Sequence, residues 1–406
     1  MNQENKLPAS YSLLPEYVRY NLPVQQQQAD NCWAYSIVSC MELELSRARK
    51  QTVTLSGPYL TWAAAKADPD AIDSAGSNYG RAARALERFG ISEIANLKTE
   101  GDRAEHITSA SSATLEKALL TAKGVRLDWL RFWHRPLGLS DAEMLSIKEH
   151  ITSGHPVSIG MMWPKELQVP DPVNCLLANC KTEDETSDGH CVALVGYEDN
   201  ESQPGGGAFI IRNNWGTGWM QNGYARISYD YIRRFANDLI AFDYSPDAPH
   251  SLSPGNIPPS NVVETAGANL SAKDCRPVED VKVVDDNIGR LRARVWLNND
   301  QVLVYTDKRG QGITITVTAP DAGMYSLTVG ATKAPNYGIY EFSIDGKKMG
   351  QPFDLSWPSV EPTGPVCLGK LTLKKGEHTL KVICVGKSLA ATGYRLGLDW
   401  VSLKAE

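Results

Sequence analysis

A segment rich in proline, serine and asparagine separates two stretches with different secondary-structure patterns in this 406-residue chain. Residues 247–263 read DAPHSLSPGNIPPSNVV, which offers little apolar surface to bury and is typical of a linker. Helical and strand patterns are mixed before it. After about Val281, short alternating runs such as GITITVTA and HTLKVICVG are separated by turn residues. The sequence therefore predicts an α+β domain over residues 1–245, a linker over 246–275 and an all-β sandwich or jelly roll over 276–406.

The composition narrows the classes of partner. With 47 acidic and 41 basic residues the formal charge is −6, and this balance, without a basic run, predicts no nucleic-acid partner. No run of about eighteen apolar residues occurs, so no membrane span is expected. The first residues, MNQENKLPASYS, lack the apolar core of a signal peptide. The compartment stays open: secreted or at the cell surface if a signal has been removed, otherwise cytoplasmic or delivered as an effector.

The eight cysteines show neither CxxC pairs nor zinc-type Cys/His spacing, so no metal site and no cofactor are expected. Their density is too low for a disulfide scaffold. Cys175 and Cys180 are close enough in sequence for a bridge within one loop, which sequence alone does not decide. Most of the others are expected to be small buried residues.

Cys32 stands where a helix is expected to begin. The run CWAYSIVSCMELELSRAR has apolar residues at helical spacing, and Asp30 or Asn31 is placed as its N-cap. A helix N-terminus lowers the pKa of a thiol, and the thiolate is the form that attacks a carbonyl carbon. Candidate donors for the resulting oxyanion are the Cys32 backbone N–H and a glutamine of the run 25–28. Taken alone, such a cysteine is more often a buried structural residue.

A base for this thiol is best sought in a strand that the fold can bring beside it. His190 lies in the apolar run SDGHCVALVGY, and Asn213 ends the next strand, in IIRNNWGTGW. An amide can orient an imidazole without becoming charged. A slip of one residue would give this role to Asn214, although RNNW places Asn213 two positions before Trp215. Trp215 and Trp219 are placed to cover the hydrogen bond between histidine and asparagine.

Five segments in order resemble the papain-like cysteine peptidases. They are LPEYVRY with PVQQQQADNCWAYS, LSGPYLTW with GSNYGRAARALERFGI, SGHPVSIGM, GHCVALVGY and RNNWGTGWMQNGYARI. The resemblance covers about residues 13–245 and implies a two-lobed fold, with a helical lobe and a β-barrel-like lobe. It also implies a peptidase that needs no cofactor and acts on a protein or peptide substrate.

The resemblance implies a role for each matching residue. Cys32 is the nucleophile, His190 the base and then the acid, and Asn213 the orienting residue. The oxyanion glutamine falls on Gln26, with Gln25 or Gln27 as alternatives. Gly160 is expected to leave the main specificity pocket roomy. The substrate cleft and this pocket are expected to be bordered by Gly76, Ser77, Asn78, Tyr79, Gly160, Met161, Asp188, Gly189, Cys191 and Trp215.

The final third is similar to jelly-roll carbohydrate-binding modules, as its ending TGYRLGLDWVSLKAE illustrates. Because many sandwiches share such patterns, protein contact and support of the first domain remain alternatives to glycan binding. Tyr337 and Trp357 stand beside turn-forming residues and are the preferred candidates for stacking on a sugar. Other aromatic residues available for this are Trp296, Tyr305, Tyr340, Tyr394 and Trp400.

The whole pattern predicts a cysteine peptidase that cleaves peptide bonds through a thioester acyl-enzyme and is targeted by its C-terminal β-sandwich. Two alternatives use the same residues differently. One is an amidase or transpeptidase with the same triad, and the other is an inactive binding protein on a papain-like fold. The sequence does not distinguish an endopeptidase from an exopeptidase.

Overall fold

The computed structural model describes residues 7–27, 29–67, 79–97, 110–133, 137–165, 175–177, 179–246, 268–287 and 300–406. The chain divides into two compact units, Met1–Leu252 and Ser253–Glu406. Among the described residues, no helix combines the length and the apolarity needed to cross a membrane. All eight cysteines are free thiols, including Cys175 and Cys180.

Several of the described helices of the first unit begin or end at recognisable sequence signals. The described helices are α1 (Leu14–Arg19), α2 (Cys32–Arg49), α3 (Gly57–Ala67), α4 (Tyr79–Phe89), α5 (Ser112–Ala122), α6 (Asp141–Thr152) and α7 (Tyr229–Phe235). The predicted helix start at Cys32 is confirmed. The capping box before α6 is also present, since Ser140 and Glu143 exchange side-chain-to-backbone hydrogen bonds. Gly90 ends α4 at φ +67°, and a Cβ there would lie 2.2 Å from the Ala118 carbonyl oxygen.

An antiparallel sheet completes the first unit. Its strands are β1 (Ser10–Ser12), β2 (Val125–Arg131), β3 (Val157–Pro164), β4 (Thr186–Asp199), β5 (Gly207–Arg212), β6 (Tyr224–Ser228) and β7 (Ala236–Tyr244). They are ordered β2-β7-β3-β4-β5-β6, and β1 pairs with β4. Because α2 packs on the central strands β3, β4 and β7, most of its side chains are buried. The predicted two-lobed α+β class is confirmed.

The second unit is a β-sandwich, as predicted. One sheet has the order β10-β11-β18-β13-β16 with β8 beside β18, and the other has the order β15-β14-β17-β12-β9. The strands are β8 (Ala268–Asn269), β9 (Cys275–Val278), β10 (Lys282–Asn287), β11 (Asp300–Tyr305), β12 (Gly312–Ala319), β13 (Gly323–Lys333), β14 (Ile339–Ile344), β15 (Lys347–Asp354), β16 (Glu361–Leu373), β17 (Gly376–Gly386) and β18 (Leu396–Ala405). Alternate residues of both sheets, such as Leu327, Val329, Phe342 and Val382, form one apolar core.

Ordered elements of the second unit begin inside the range predicted as linker. β8 pairs with β18, and a short 3₁₀ helix at Ala272–Asp274 precedes β9. Residues 247–267, which carry most of the Pro/Ser-rich segment, lie outside the described residues. Two further 3₁₀ turns in the first unit span Ile94–Asn96 and Glu183–Glu185.

Candidate active site

Cys32 is half-buried at the first position of α2. Asn31 occupies the N-cap position, but its side chain does not cap the helix and its Nδ2 instead donates to Thr61 Oγ1 at 3.2 Å. The first N–H groups of an α-helix have no carbonyl partner within the helix, and the helix dipole is positive at this end. The Cys32 sulfur therefore starts from a position that favours a negative charge.

Two side chains of β4 favour the thiolate form of Cys32. The thiol of Cys191 and the imidazole of His190 lower the pKa of Cys32 to about 4, with Cys191 making the larger contribution and burial opposing both. Consequently Cys32 carries a thiolate at neutral pH. The resemblance implies for Cys191 only a place at the border of a pocket, so its effect on Cys32 was missed.

His190 is held by Asn213 through a hydrogen bond of 2.9 Å between Nε2 and Oδ1. The backbone N–H of Asn214 also donates to Oδ1 at 2.9 Å, which identifies this atom as the amide oxygen. An amide oxygen only accepts, so Nε2 carries a proton and Nδ1 remains for exchange with the thiol. Both residues are buried. This hydrogen bond joins the two residues that the resemblance implies as the base and its orienting residue, and their roles stay a prediction.

Asn214 has a different task from its neighbour. Its Nδ2 donates to the Cys32 carbonyl oxygen at 2.9 Å and to the Cys191 carbonyl oxygen at 3.2 Å. One amide thus fastens the start of α2 to β4. This separates the two asparagines that the sequence left as alternatives, because only the Asn213 side chain bonds to His190.

Tryptophan rings enclose the His190 side chain. The ring centroids of Trp163 and Trp215 lie 4.6 Å and 4.8 Å from that of His190. Trp219 contacts Trp215 edge-on at 5.6 Å. These rings keep water from the hydrogen bond between His190 and Asn213, which strengthens it. Trp163 was not anticipated, since an aromatic residue at the end of a buried strand has the same pattern as any core residue.

The described glutamines before Cys32 differ in what their amides do. Gln25 Nε2 donates to Glu42 Oε1 at 2.7 Å and to the Leu55 carbonyl oxygen at 3.0 Å. Gln27 Nε2 donates to the Ala29 carbonyl oxygen at 2.9 Å. Gln26 is exposed and forms an antiparallel bridge with Trp215. Of the three described glutamines, Gln26 is therefore the one whose side-chain amide donates no hydrogen bond within the described part of the chain, which agrees with the position that the resemblance implies for the oxyanion donor.

Comparison with known proteins identifies a family for this chain. A family model described as papain family cysteine protease matches residues 20–237, just over half of the chain. The chain belongs to the papain family. A stretch of 105 residues is 29% identical to the uncharacterized peptidase C1-like protein L477 of Acanthamoeba polyphaga mimivirus, over 26% of this chain and 31% of that protein. The chain thus matches about a third of that relative's length.

Solved structures of papain-like enzymes resemble the chain at low identity. Xylellain, a cysteine protease from Xylella fastidiosa, is 18% identical, with a TM-score of 0.45, over 59% of this chain and 87% of its own. The clostridial cysteine protease Cwp84 after propeptide cleavage is 15% identical, with a TM-score of 0.48, over 96% of this chain and 87% of its own. Procathepsin L 3 of Tenebrio molitor is 18% identical, with a TM-score of 0.40, over 59% and 72%.

The predicted cleft wall of this papain-family domain is only partly described. Gly76, Ser77 and Asn78 lie outside the described residues. Tyr79 opens α4, but the expectation that it lines the substrate strand is wrong for its side chain, which is fully buried. The Tyr79 hydroxyl instead lies 2.7 Å from the Oγ of Ser158, a buried residue of the central strand β3.

Two side-chain oxygens lie beside Gly160, where the specificity pocket is predicted. Gly160 pairs with Cys191 on one side and with Asp238 on the other, so these residues share one face of the sheet. A Cβ on Gly160 would lie 2.0 Å from Asp238 Oδ1 and 2.7 Å from Asn237 Oδ1. The expectation of a roomy site at Gly160 is therefore wrong, because these two oxygens occupy the space.

The other predicted pocket residues divide between core and surface. Met161 is fully buried. Neighbouring residues of a strand point to opposite faces of the sheet, so the Met161 side chain lies on the face opposite to Gly160 and does not line the predicted pocket. Asp188 and Gly189 are exposed at the start of β4. Asp238 and Asn237 were missed, because only the pairing of β3 with β7 brings them over Gly160.

The two candidates for sugar stacking in the second unit are buried, so this prediction is wrong. Tyr337 is 4% exposed and accepts a hydrogen bond of 3.3 Å from Gln301, whereas Trp357 is 1% exposed and donates to Glu361 at 2.8 Å. A ring with both faces in the core cannot stack on a ligand. Of the described aromatic residues named from the sequence, Tyr305 is 37% exposed, whereas Tyr394 and Trp400 are half-buried.

Proposed function

We propose that the first unit is a cysteine peptidase that hydrolyses peptide bonds through a thioester on Cys32. The observation that carries the proposal is the hydrogen bond of 2.9 Å between His190 Nε2 and Asn213 Oδ1. It leaves Nδ1 of the same ring for the Cys32 sulfur, which the adjacent groups favour as a thiolate. A nucleophile, a base and an orienting amide in this arrangement suit acyl transfer.

In the first half of the reaction, the Cys32 thiolate attacks the carbonyl carbon of the scissile bond. The oxyanion accepts hydrogen bonds from the Cys32 backbone N–H and from Gln26 Nε2. His190 gives its Nδ1 proton to the leaving amine, the C–N bond breaks and the acyl group remains on sulfur as a thioester.

In the second half, a water molecule replaces the amine. The neutral His190 ring takes a proton from water at Nδ1, and the hydroxide formed attacks the thioester carbonyl. The carboxylic acid leaves as the C–S bond breaks, which restores the thiolate and the imidazolium. Asn213 keeps Nε2 protonated and the ring in one orientation throughout.

The two oxygens beside Gly160 support a substrate class. We infer that the pocket above Gly160 takes a side chain that donates hydrogen bonds or carries positive charge, because Asp238 and Asn237 present oxygens there. A charge-assisted hydrogen bond is stronger than a neutral one, so a basic side chain gains most. An apolar side chain would leave Asn237 Oδ1, which is buried and accepts no hydrogen bond among the described residues, unsatisfied.

The test is hydrolysis of fluorogenic peptides together with labelling by a thiol-reactive epoxide. We expect wild type to cleave and to be labelled at Cys32, and Cys32→Ala to do neither. His190→Ala should reduce turnover about 10²- to 10⁴-fold while the chain stays folded. Unimpaired turnover in His190→Ala overturns the assignment. Labelling with acyl transfer to amines but without hydrolysis would indicate a transpeptidase, and neither labelling nor turnover a binding protein.

For the second unit we propose a targeting role, towards a glycan or a protein surface. The feature that favours it is Tyr305, an exposed ring over which Lys282 Nζ lies 5.4 Å and Arg395 Cζ 4.7 Å from the centroid. The hydroxyl of this exposed side chain and the two cationic donors suit hydrogen bonds to a sugar or to a polar protein surface. The full-length Cys32→Ala chain on a glycan array tests this role. Binding lost in Tyr305→Ala supports it, and an array without binding favours a protein partner.

A further inference from the structure

Cys191 carries a second thiol near Cys32, and the proposed reaction gives this second thiol no chemical step. It follows His190 on β4 and is half-buried. Asn214 Nδ2 donates to the Cys32 carbonyl oxygen at 2.9 Å and to the Cys191 carbonyl oxygen at 3.2 Å, so the backbones that carry the two sulfurs are fixed side by side. The two thiols also shift each other's pKa, in keeping with this proximity. Two free thiols on adjacent, fixed backbones are the starting arrangement for a disulfide.

The surroundings of Cys191 control when it can react. The adjacent Cys32 thiolate and burial hold the pKa of Cys191 well above its usual value, so Cys191 stays protonated while Cys32 is reduced. Oxidation of Cys32 to a neutral sulfenic acid removes that negative charge. The proton on Cys191 is then held less firmly, and its sulfur becomes a better nucleophile when an electrophilic sulfur lies beside it.

We propose that Cys191 is the resolving cysteine of Cys32, and that the two form a reversible disulfide which protects the nucleophile from irreversible oxidation. The Cys32 thiolate attacks hydrogen peroxide, an S–O bond forms, the O–O bond breaks and hydroxide leaves. The Cys191 sulfur then attacks the Cys32 sulfur, the S–O bond breaks, and water leaves with the Cys191 proton. Two thiols are oxidised by two electrons and one peroxide is reduced to water. A dithiol reductant restores both thiols.

The competing explanation is that Cys191 only fills space beneath the cleft. In that case oxidation of Cys32 proceeds from sulfenic to sulfinic acid, which dithiols do not reduce. The inference rests on the proposed function only in taking Cys32 as the reactive thiol, and it does not require hydrolysis.

The experiment compares full-length wild type with Cys191→Ser, a variant that keeps the size and the hydrogen-bonding capacity of the side chain. Both carry Cys367→Ser, because Cys367 is exposed and would cross-link molecules. Each protein is treated with stoichiometric hydrogen peroxide, digested and mapped by mass spectrometry, and then treated with dithiothreitol. Epoxide labelling of Cys32 is the readout before and after reduction, with peptide hydrolysis alongside.

We expect the wild-type map to contain a peptide pair joined through Cys32 and Cys191, and labelling to recover to about nine-tenths on reduction. In Cys191→Ser we expect Cys32 to gain two oxygens, with recovery below about one-tenth. A wild type without the joined peptides, or one that recovers no better than Cys191→Ser, overturns the proposal. Failure of the proposed function looks different, since the reduced enzyme would then be labelled but would not hydrolyse peptides.

Discussion

Asp238 Oδ1 lies 2.0 Å from the position that a Cβ atom on residue 160 would occupy. In this arrangement only glycine fits at position 160, because the carboxylate fills the space of a side chain. The pairing of β7 with β3 brings this about, with a bulge after Gly160 that turns Asn237 in the same direction. Because Gly160 also pairs with Cys191, Asp238 and Cys191 lie on either side of the same residue of β3.

A peptide library should therefore show a preference for Lys or Arg at the second residue before the cleaved bond. Asp238→Asn should lower kcat/KM for these peptides roughly tenfold relative to peptides with Gln at this position, because one charge-assisted hydrogen bond is lost. Gly160→Ser is the matched test of space, and its side chain should reduce cleavage of all peptides. A preference for Leu or Val in wild type, unchanged in Asp238→Asn, would contradict the polar pocket.

Replacement of Gln26 should distinguish the three described glutamines. Removal of an oxyanion donor costs about 10²- to 10³-fold in kcat, so Gln26→Ala should fall in this range with little change in KM. Gln27→Ala is the control, because its amide bonds only to the nearby Ala29 carbonyl. Progress curves with a fluorogenic peptide measure both parameters. Equal activity of Gln26→Ala and wild type would move the donor to another residue.

The pH dependence of alkylation should report the Cys32 thiolate directly. The pKa of Cys32 is about 4, so the rate with iodoacetamide should stay high at neutral pH and fall only as the pH drops through about 4. Cys191→Ala and His190→Ala each remove a group that stabilises the thiolate, so both should move this midpoint upwards. Peptide mapping assigns the rate to Cys32. A wild-type midpoint above pH 8 would contradict the proposed thiolate.

Much of the fold and site could be predicted because the signals are local. The helix start at Cys32 and the strand around His190 depend on spacing and chain punctuation that hold before any tertiary contact forms. The order of Cys32, His190 and Asn213 also stands in separate, recognisable segments. The sequence alone could not decide between Asn213 and Asn214, because both carry an amide side chain. In the folded chain the Asn213 side chain bonds to His190, whereas the Asn214 side chain bonds to the Cys32 carbonyl oxygen.

The predictions that were wrong or incomplete depended on contacts between segments that are distant in sequence. Turn-forming neighbours indicated exposed loops for Tyr337 and Trp357, but the Trp357 N–H donates to the Ala334 carbonyl oxygen at 3.2 Å, and this draws the connecting segments over the core. The proximity of Cys191 to Cys32 similarly needs α2 to meet β4. The strand pattern alone shows that Cys191 follows His190, but it does not show that the Cys191 side chain lies near Cys32.

Glu42 should make the stability of the first unit fall as the pH rises. It is fully buried on α2, and burial raises its pKa from 4.5 to about 7 although Gln25 and the Leu55 N–H donate to it. The folded state then holds a proton that the unfolded state releases between these two values. The free energy of unfolding should decline by ~3 kcal/mol from below pH 4.5 to above pH 7 through this group.

Glu42→Gln keeps the oxygen that accepts both hydrogen bonds and removes the titration, so its stability relative to wild type should increase as the pH rises from 5 to 8. Urea unfolding followed by tryptophan fluorescence at these two pH values measures the difference. Glu16→Gln is the control, because that carboxylate is partly exposed in its ion pair with Arg47, and its effect should change little over this range. A constant difference between Glu42→Gln and wild type at both pH values would mean that Glu42 remains ionised when folded, held by Gln25 and the Leu55 N–H strongly enough to offset its burial.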